Sequence, residues 1–576
     1  MKNLYIIVSV VALAVVVAFF GTFFVLDILK HQTLSFDIKV RGYDAGQVKI
    51  DRYITEERVV YRSTTGSPYG LIASEQKVKL AIDTAASTHS YAKTTERASA
   101  AESVFIDNKN ARLSYLSVYG PYFLTLDDVP VKKDALPFDE DAILTLLPFL
   151  ERYDFRRGRA QGFNAIKQIS PELPPMNTLL TLTSIRDDIL TIDHRKIKTE
   201  CLLLKIKHYR TITIWVSKLD RSIVMLEMPE GETQYIRSFR NNKKGFREDS
   251  PVELKSDARQ VFFQNKNVRL SGKYSVPSQQ GKFPAVLLIC GPGPYDCDYF
   301  GLFADIADYL SKNNYCVLRF DKRGTGQSEG ELGAYSEQDE LSDISTALEY
   351  LLTLDKVDAN RVFLIGHSLG GYYALKIAAL HKEIRGCVVM AMPFYPSHLE
   401  AALGSIAFKA QNLQWERSYT ETCAKSIRET YAAVENSGKE WLTVLDKKCF
   451  AQRMREELNE KLLLTIAQVM TPVLLLHGNK DLVVDPERSK ALNKLFDKTE
   501  TLKHSLVYFG YLDHSFGIMS FDGKSRMRVV ADSSVLGAIS GWLADTCAAL
   551  DAPQAGILRP EGTEDTSPGY AQTPPP

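Results

Sequence analysis

The sequence lacks several features that would assign it to a specialised class of protein. Its 576 residues include only 8 cysteines and carry no net charge, because 70 Lys and Arg balance 70 Asp and Glu. The scarcity of cysteine excludes a disulfide-built scaffold, and the absence of a basic excess argues against nucleic acid as a partner. No internal repeat is present. A hydrophobic fraction of 45% and a charged fraction of 24% are typical of globular domains, and the length predicts two or three of them.

One long hydrophobic run is present, at the N-terminus. Leu4 to Leu26 contains no charged residue, and a helix needs about 20 apolar residues to cross a bilayer. A cleaved secretory signal is the alternative, but its apolar core usually has about 7–15 residues followed by a small-x-small site, whereas this run is longer and has no clear Ala-x-Ala at its Phe23-Phe24-Val25-Leu26 end. Residues 1–32 are therefore predicted to be an N-terminal transmembrane signal-anchor. We expect the catalytic domain to be periplasmic or extracellular, although the basic residues after the span argue weakly against export.

Two long stretches with different periodicity follow the anchor. Residues 33–250 contain alternating runs such as Ser35–Val40 and Thr211–Val216, which predict a mostly antiparallel β-rich domain. No catalytic motif is present in it. Residues 255–550 alternate short apolar strands with amphipathic helices, which predicts a parallel α/β sheet.

Two further segments have their own composition. Residues 396–470 have few strand signals and read as helical, so we expect a helical insertion that caps a ligand crevice or forms a peripheral lobe. Residues 551–576 are rich in Pro, Gly, Thr and Ser and are predicted to be a disordered tail.

The strongest chemical signal is the motif Gly366-His367-Ser368-Leu369-Gly370-Gly371, which directly follows the apolar strand Val362–Ile365. A strand, a sharp turn with glycines on both sides of a serine, and a helix together form a nucleophile elbow. Glycine is needed beside the serine because larger side chains would collide in so tight a turn. The start of the following helix favours negative charge developing near Ser368. Ser368 is therefore the predicted nucleophile.

A serine hydroxyl needs a general base, and after a nucleophile elbow the acid and then the histidine follow in the chain. Asp481 comes shortly after the strand Val473–Leu476, and His514 comes after the next strand. We predict that His514 takes the proton of Ser368 and that Asp481 orients the imidazole.

Other acids and histidines near these positions remain to be weighed. Asp485 could be the acid if the loop is longer than we infer, whereas Asp513 adjoins His514 and should point elsewhere. His367 and His477 are expected to be packing or loop-bracing residues.

The oxyanion hole needs backbone N–H donors. The N–H of Leu369 is one candidate, because it follows the nucleophile. The loop after Cys290 should supply the second, and since proline has no N–H, the donor must be Gly291, Gly293 or Tyr295. This Gly-x-Gly lacks the full dinucleotide fingerprint, and no Cys/His spacing indicates zinc. We therefore expect no cofactor and no metal.

Together these residues resemble the α/β-hydrolase superfamily, and more narrowly the bacterial esterases of the serine aminopeptidase-like (S33) or dienelactone-hydrolase-like type. Those proteins carry a His-Gly-Ser-Gly-Pro-x-Asp loop, matched here by Cys290–Asp296, and an Arg-Tyr-Asp-Lys-Arg-Gly-x-Gly-x-Ser loop, matched by Arg319–Ser328. Cys290 and Pro292 depart from the pattern and should alter loop rigidity. The resemblance covers about residues 255–548 and implies an α/β-hydrolase fold and carboxylesterase activity on short to medium acyl chains.

The sequence thus predicts a membrane-anchored serine hydrolase that cleaves small-molecule carboxylic esters through an acyl-enzyme. A serine aminopeptidase or a thioesterase could use the same triad. An aminopeptidase would need an acidic residue in the cap, for which Glu400, Glu416 and Glu421 are candidates. A non-catalytic binding or scaffold module is the remaining alternative, and the complete triad argues against it.

Overall fold

The computed structural model describes eighteen segments of the chain. The predicted span Leu4–Leu26 and the tail beyond residue 551 lie outside the described residues. Within the described segments, no helix combines the length and apolar character needed to cross a bilayer. The structure describes residues 31–40, 43–54, 58–66, 75–83, 88–95, 100–119, 122–139, 142–167, 175–207, 211–228, 233–239, 258–293, 295–412, 414–444, 447–458, 466–498, 503–521 and 527–551.

The first half of the described chain forms a fifteen-stranded sheet. A 3-10 turn, Ile143–Leu146, and helix α1, Leu147–Arg152, lie between β9 and β10. The strands are β1 His31–Val40, β2 Tyr43–Ile54, β3 Arg58–Gly66, β4 Glu75–Asp83, β5 Thr88–Thr95, β6 Ala100–Asp107, β7 Arg112–Tyr119, β8 Tyr122–Pro130, β9 Leu136–Phe138, β10 Gln161–Lys167, β11 Met176–Ile192, β12 Arg195–Ile206, β13 Thr211–Ser217, β14 Ile223–Met228 and β15 Thr233–Arg237.

Strands β1 to β8 run from the middle of this sheet to one edge, and β9 to β15 return from the other edge to pair with β1. The order is β8-β7-β6-β5-β4-β3-β2-β1-β15-β14-β13-β12-β11-β10-β9, and the pairs are antiparallel except the parallel pair β9–β10. Side chains alternate along each strand, so Leu34, Phe36 and Ile38 of β1 enter one core. That core takes side chains from both halves of the sheet and from the 3-10 turn and α1. The sheet therefore curls around this short helical segment, as expected for many twisted strands that share a continuous apolar face.

The second half of the described chain forms an eight-stranded sheet and most of the helices. Its order is β16-β17-β19-β18-β20-β21-β24-β25, parallel from β19 to β25. The strands are β16 Arg259–Asn265, β17 Val268–Ser275, β18 Phe283–Ile289, β19 Cys316–Phe320, β20 Val357–His367, β21 Ile384–Met390, β24 Val473–Gly478 and β25 His504–Phe509, and a small hairpin follows with β26 Gly517–Phe521 and β27 Met527–Ala531. The helices outside the insertion after β21 are α2 Leu302–Lys312, α3 Glu337–Leu352, α4 Leu369–Leu380, α8 Glu487–Phe496 and α9 Ser533–Asp551.

Helices cover both faces of this sheet. Along β18, Ala285 and Leu287 enter a core with α3, α4 and α8, while Val286 and Leu288 enter a core with α2 and α9. This strand order, with helices on both faces, is the predicted α/β-hydrolase fold. The carboxyl ends of the parallel strands meet at one edge, where loops can bring chemical groups together.

Within the described residues of the insertion between β21 and β24, the secondary structure is helical apart from one hairpin that the sequence pattern did not predict. Leu116 of β7 and Phe123 of β8 pack against Val434 and Met454 of the insertion. These two side chains lie on the outer face of the first sheet, opposite its main core. The elements of the insertion are α5 His398–Asn412, α6 Arg417–Ser437, β22 Trp441–Val444, β23 Lys447–Phe450 and α7 Gln452–Leu458.

Candidate active site

Ser368 occupies a sharp turn between β20 and α4. Its backbone angles are φ 54° and ψ −128°, a sparsely populated conformation for a residue with a side chain. The turn brings backbones too close for side chains: a Cβ on Gly366 would lie 2.2 Å from the Gly370 carbonyl oxygen, and one on Gly370 would lie 2.1 Å from that of Ile289. This strained turn is the geometry of a nucleophile elbow at the carboxyl end of a central strand.

His514 and Asp481 lie together at the same edge of the sheet. Asp481 follows β24 and His514 follows β25, and His514 Nδ1 is 2.7 Å from Asp481 Oδ2. The aspartate side chain is fully buried, and the histidine side chain is 18% exposed. Because Nδ1 donates to the carboxylate, the neutral imidazole keeps Nε2 free of a proton and able to accept one.

Asp481 is held as an anion by several donors. Its Oδ1 accepts the N–H groups of Val483 at 2.7 Å and Val484 at 2.8 Å. Burial acts against its charge, but hydrogen bonds from His477, His514 and the Val484 N–H hold the pKa of Asp481 well below its usual range. A carboxylate in this state fixes the tautomer of a histidine and stabilises the imidazolium.

His367 connects the elbow to the segment that carries His514. Its Nε2 lies 2.7 Å from the His514 carbonyl oxygen, so Nε2 donates and Nδ1 accepts the Tyr299 hydroxyl at 2.9 Å. The rings of His367 and His514 are 4.7 Å apart. Burial and the neighbouring His514 lower the pKa of His367 to about 3. His367 is thus a neutral brace, and its partner Tyr299 was not singled out by the sequence.

His367 links Ser368 to His514, because it directly precedes the serine in the chain and its side chain hydrogen-bonds the backbone carbonyl oxygen of His514. Within the described segments, no hydrogen bond joins the Ser368 hydroxyl to the His514 ring. Catalytic hydrogen bonds are often long without substrate and tighten when it binds.

The other carboxylates near the site have different partners. Asp485 accepts the N–H of Glu487 at 3.0 Å and lies 3.4 Å from Arg488, so it supports the start of α8. Asp513 accepts the N–H and hydroxyl of Ser515 and is exposed. Of the acids considered from the sequence, Asp481 is the one that contacts His514.

Candidate oxyanion donors surround Ser368. The N–H of Leu369 begins α4, where helical N–H groups have no partner within the helix. A Cβ on Gly291 would lie 3.0 Å from Ser368 Cβ and 3.5 Å from the Leu369 nitrogen, so Gly291 borders the same space. Gly291 and Gly293 are both buried, and neither N–H donates to another described residue. Tyr295 packs its ring against Tyr299 and remains the third candidate from this loop.

The charged loop Arg319–Ser328 has its cations neutralised by carboxylates. This pairing supports a bracing function for the loop rather than recognition of an anionic substrate. The pairs are Arg319 with Asp298 at 2.9 Å, Lys322 with Glu340 at 2.9 Å and Arg323 with Asp343 at 2.8 Å.

All eight cysteines are buried and none forms a disulfide, so Cys290 and Cys297, which are close in sequence, are not bridged, and neither are Cys423 and Cys449 of the insertion. Among the described residues, no group of three or more His, Cys, Asp or Glu side chains is arranged to hold a metal ion.

Comparison with known proteins identifies relatives of the second half of the chain. Residues 295–516 match the family model described as serine aminopeptidase, S33. Esterase EstD of Thermotoga maritima is 29% identical over 284 residues, which are 48% of this chain and 65% of that protein. Quorum-quenching protein AidA of Acinetobacter baumannii is 30% identical over 135 residues, which are 23% of this chain and 43% of that protein. The chain thus spans less than two thirds of the length of these relatives.

Among solved structures, Est1E from Butyrivibrio proteoclasticus with bound ferulic acid is 18% identical, with a TM-score of 0.36, covering 50% of this chain and 99% of that one. The family match and the EstD similarity confirm the predicted resemblance to serine aminopeptidase-like α/β hydrolases for the second half of the chain. They support a hydrolase.

Proposed function

We propose that the protein is a serine hydrolase that cleaves small-molecule carboxylic esters through an acyl-enzyme, with Ser368, His514 and Asp481 as its triad. The observation that carries the proposal is the 2.7 Å contact between His514 and a buried, ionised Asp481 beside a serine held at φ 54°. A strained serine, a neutral imidazole and a buried carboxylate at one sheet edge are the groups that acyl transfer requires.

In the proposed mechanism, Ser368 Oγ attacks the ester carbonyl carbon while His514 Nε2 takes the hydroxyl proton. The carbonyl oxygen becomes an oxyanion, which the N–H of Leu369 and one N–H from Gly291 or Gly293 stabilise. His514 then gives its proton to the leaving alkoxide, and the acyl group stays on Ser368. A water molecule then attacks the acyl carbon while His514 takes its proton, and His514 returns that proton to Ser368 Oγ as the acyl–oxygen bond breaks and the carboxylic acid leaves. Asp481 stays ionised throughout and stabilises the imidazolium.

An ester is favoured over an aminoacyl amide by the charges of the insertion. The three glutamates considered for amine recognition, Glu400, Glu416 and Glu421, are exposed, and Glu421 pairs with Arg417 on the surface of α6. An amine-binding carboxylate is expected to be partly buried near the nucleophile. The similarity to an esterase points in the same direction, whereas the name of the matching family keeps peptide substrates in the test.

We further propose that the chain is held at a membrane by Leu4–Leu26, with the hydrolase on the periplasmic or extracellular side. This proposal rests on the length and uncharged character of that run. A fusion of a topology reporter to the C-terminus tests it, and a reporter active only in the cytoplasm would contradict it.

The test of the activity uses the full chain, a series of nitrophenyl esters of increasing acyl length, and aminoacyl anilides. We expect turnover of the esters and its loss in Ser368→Ala. Turnover of the anilides alone would assign a peptidase. No turnover of either class, with no reaction toward a fluorophosphonate, would assign a binding module.

A further inference from the structure

A line of buried polar contacts begins at the loop that follows Cys290 and carries Gly291 and Gly293, called the oxyanion loop below. The Lys322 ammonium donates to the Gly291 carbonyl oxygen at 3.0 Å and pairs with Glu340 at 2.9 Å. The side chains of Lys322 and Glu340 are 4% and 7% exposed. The peptide group between Gly291 and Pro292 has no N–H, because Pro292 is a proline. Its carbonyl oxygen is therefore the polar atom by which this peptide can be held. Lys322 therefore fixes the peptide plane next to the residue that borders Ser368.

The line of contacts continues into the insertion through Arg453 of α7. Its guanidinium lies 3.2 Å from Glu340 and 2.5 Å from Glu457, and it also donates to the Ser336 carbonyl oxygen and the Tyr373 hydroxyl. The side chains of Arg453 and Glu457 are each 1% exposed. Two cations and two carboxylates therefore alternate along this line, so each buried charge lies beside a charge of opposite sign.

The line ends in the first sheet. The Tyr122 hydroxyl at the start of β8 donates to Glu457 Oε1 at 2.6 Å, although the two residues are 335 positions apart. The guanidinium of Arg453 also lies 5.9 Å from the centre of the Tyr122 ring. Next to this contact, Ser426 of α6 donates to the Thr125 carbonyl oxygen of β8. The N-terminal sheet therefore contacts a network of buried charges that reaches the oxyanion loop.

We propose that the N-terminal domain positions the oxyanion loop of the proposed hydrolase through the line Tyr122–Glu457–Arg453–Glu340–Lys322, with Lys322 as the positioning residue that holds the loop at Gly291. This inference rests on the proposed function and assigns a role to a domain that carries no catalytic motif. Buried ion pairs move little because displacing any member leaves a charge without its partner. Removing the Tyr122 hydroxyl should therefore change the geometry of the site at Ser368.

Tyr122→Phe is the most informative variant, because it removes one hydroxyl, which bonds Glu457 and none of the proposed triad residues, and it changes no charge. Its matched control is Tyr61→Phe in β3 of the same sheet. The Tyr61 hydroxyl is equally bonded to a carboxylate, Glu151, at 2.8 Å, and the residue is 0% exposed. That hydrogen bond leads to α1 and not to the insertion.

An oxyanion donor acts in the transition state, and losing one lowers kcat about 10²–10³-fold. We expect Tyr122→Phe to lower kcat per active site by about 5-fold or more, with KM within about 2-fold. Lys322→Met should approach the loss of a full donor, about 100-fold. Affinity for a trifluoromethyl ketone, which forms a tetrahedral oxyanion on the serine, should fall in parallel with kcat. The concentration of active sites is measured by prolonged fluorophosphonate labelling, so a misfolded fraction of the protein does not lower the value of kcat.

The outcomes separate this inference from the proposed function. A Tyr122→Phe enzyme with the same kcat and ketone affinity as Tyr61→Phe would overturn the inference alone. A wild-type chain without ester turnover or labelling would overturn the proposed function and the inference with it. If Lys322→Met does not fold, the comparison of the two tyrosine variants decides.

Discussion

Replacing Asp481 with asparagine should abolish nearly all turnover while the protein stays folded. One oxygen of the carboxylate accepts the N–H groups of Val483 and Val484, at 2.7 and 2.8 Å. The other accepts from His514 Nδ1 at 2.7 Å and lies 3.2 Å from His477 Nε2, for which the Val484 carbonyl oxygen at 3.2 Å is an alternative acceptor. Asparagine has a single oxygen, so its NH₂ group must face either the two backbone donors or the histidine.

The hydrogen bonds decide which way the amide turns. If the NH₂ group faced the two backbone donors, both N–H groups would be left without an acceptor, at about 1–3 kcal/mol each. The asparagine oxygen therefore stays on the backbone side, and the NH₂ group donates to His514 Nδ1. The imidazole proton then sits on Nε2, the atom that accepts the proton of Ser368 in the proposed mechanism. In the Ser-His-Asp triad of proteases this wrong tautomer lowers kcat about 10⁴-fold.

The assay is ester turnover per folded molecule, with folding followed by thermal melting. Asp485→Asn is the control, because Asp485 contacts the start of α8 and not His514, and we expect it to keep activity within about 3-fold of wild type. If Asp481→Asn kept wild-type turnover while Asp485→Asn lost it, the acid of the triad would be Asp485 and the reasoning would be refuted.

Four further results follow from the structure. Gly370→Ala puts a Cβ 2.1 Å from the Ile289 carbonyl oxygen and should destabilise the fold by about 1–3 kcal/mol or more, whereas Gly510→Ala meets nothing within 4 Å and should leave the melting temperature nearly unchanged. Since burial lowers the pKa of His367 to about 3, its ring stays neutral above pH 5, and His367→Gln should change the height of the pH–rate profile without removing an inflection between pH 5 and 8. The depressed pKa of Asp481 contributes stability above about pH 4 that is lost as pH falls further; unfolding titrations should therefore show a shallower acid slope in Asp481→Asn, and an unchanged slope would contradict the ionised carboxylate. A thiol reagent should react with 8 cysteines after unfolding without reductant and with very few before it, and a count of four or six would contradict the absence of disulfides among them.

The elbow and its partners were predictable because local sequence determines them. A turn that places Gly370 against Ile289 tolerates no side chain, so the glycines and the serine appear together in six residues. Asp481 and His514 come after consecutive strands whose carboxyl ends must meet at one edge of a parallel sheet. The tight bond between them follows from that topology.

The relation of the N-terminal sheet to the rest of the molecule was not predictable in the same way. Alternation predicted strands but gives no order for fifteen of them, nor the parallel edge pair β9–β10. The hairpin β22–β23 is made of two four-residue strands, too short for a clear pattern. Tyr122 and Glu457 each have an ordinary local sequence, and their hydrogen bond arises only when distant segments pack.

Covalent labelling of Ser368 is the measurement that tests the central claim most directly. The full chain is treated with a fluorophosphonate, digested, and mapped by mass spectrometry. We expect one phosphonylated residue, Ser368, with labelling abolished in Ser368→Ala and slowed strongly in Asp481→Asn. A label on another serine, or no label on a folded protein that still hydrolyses esters, would contradict it.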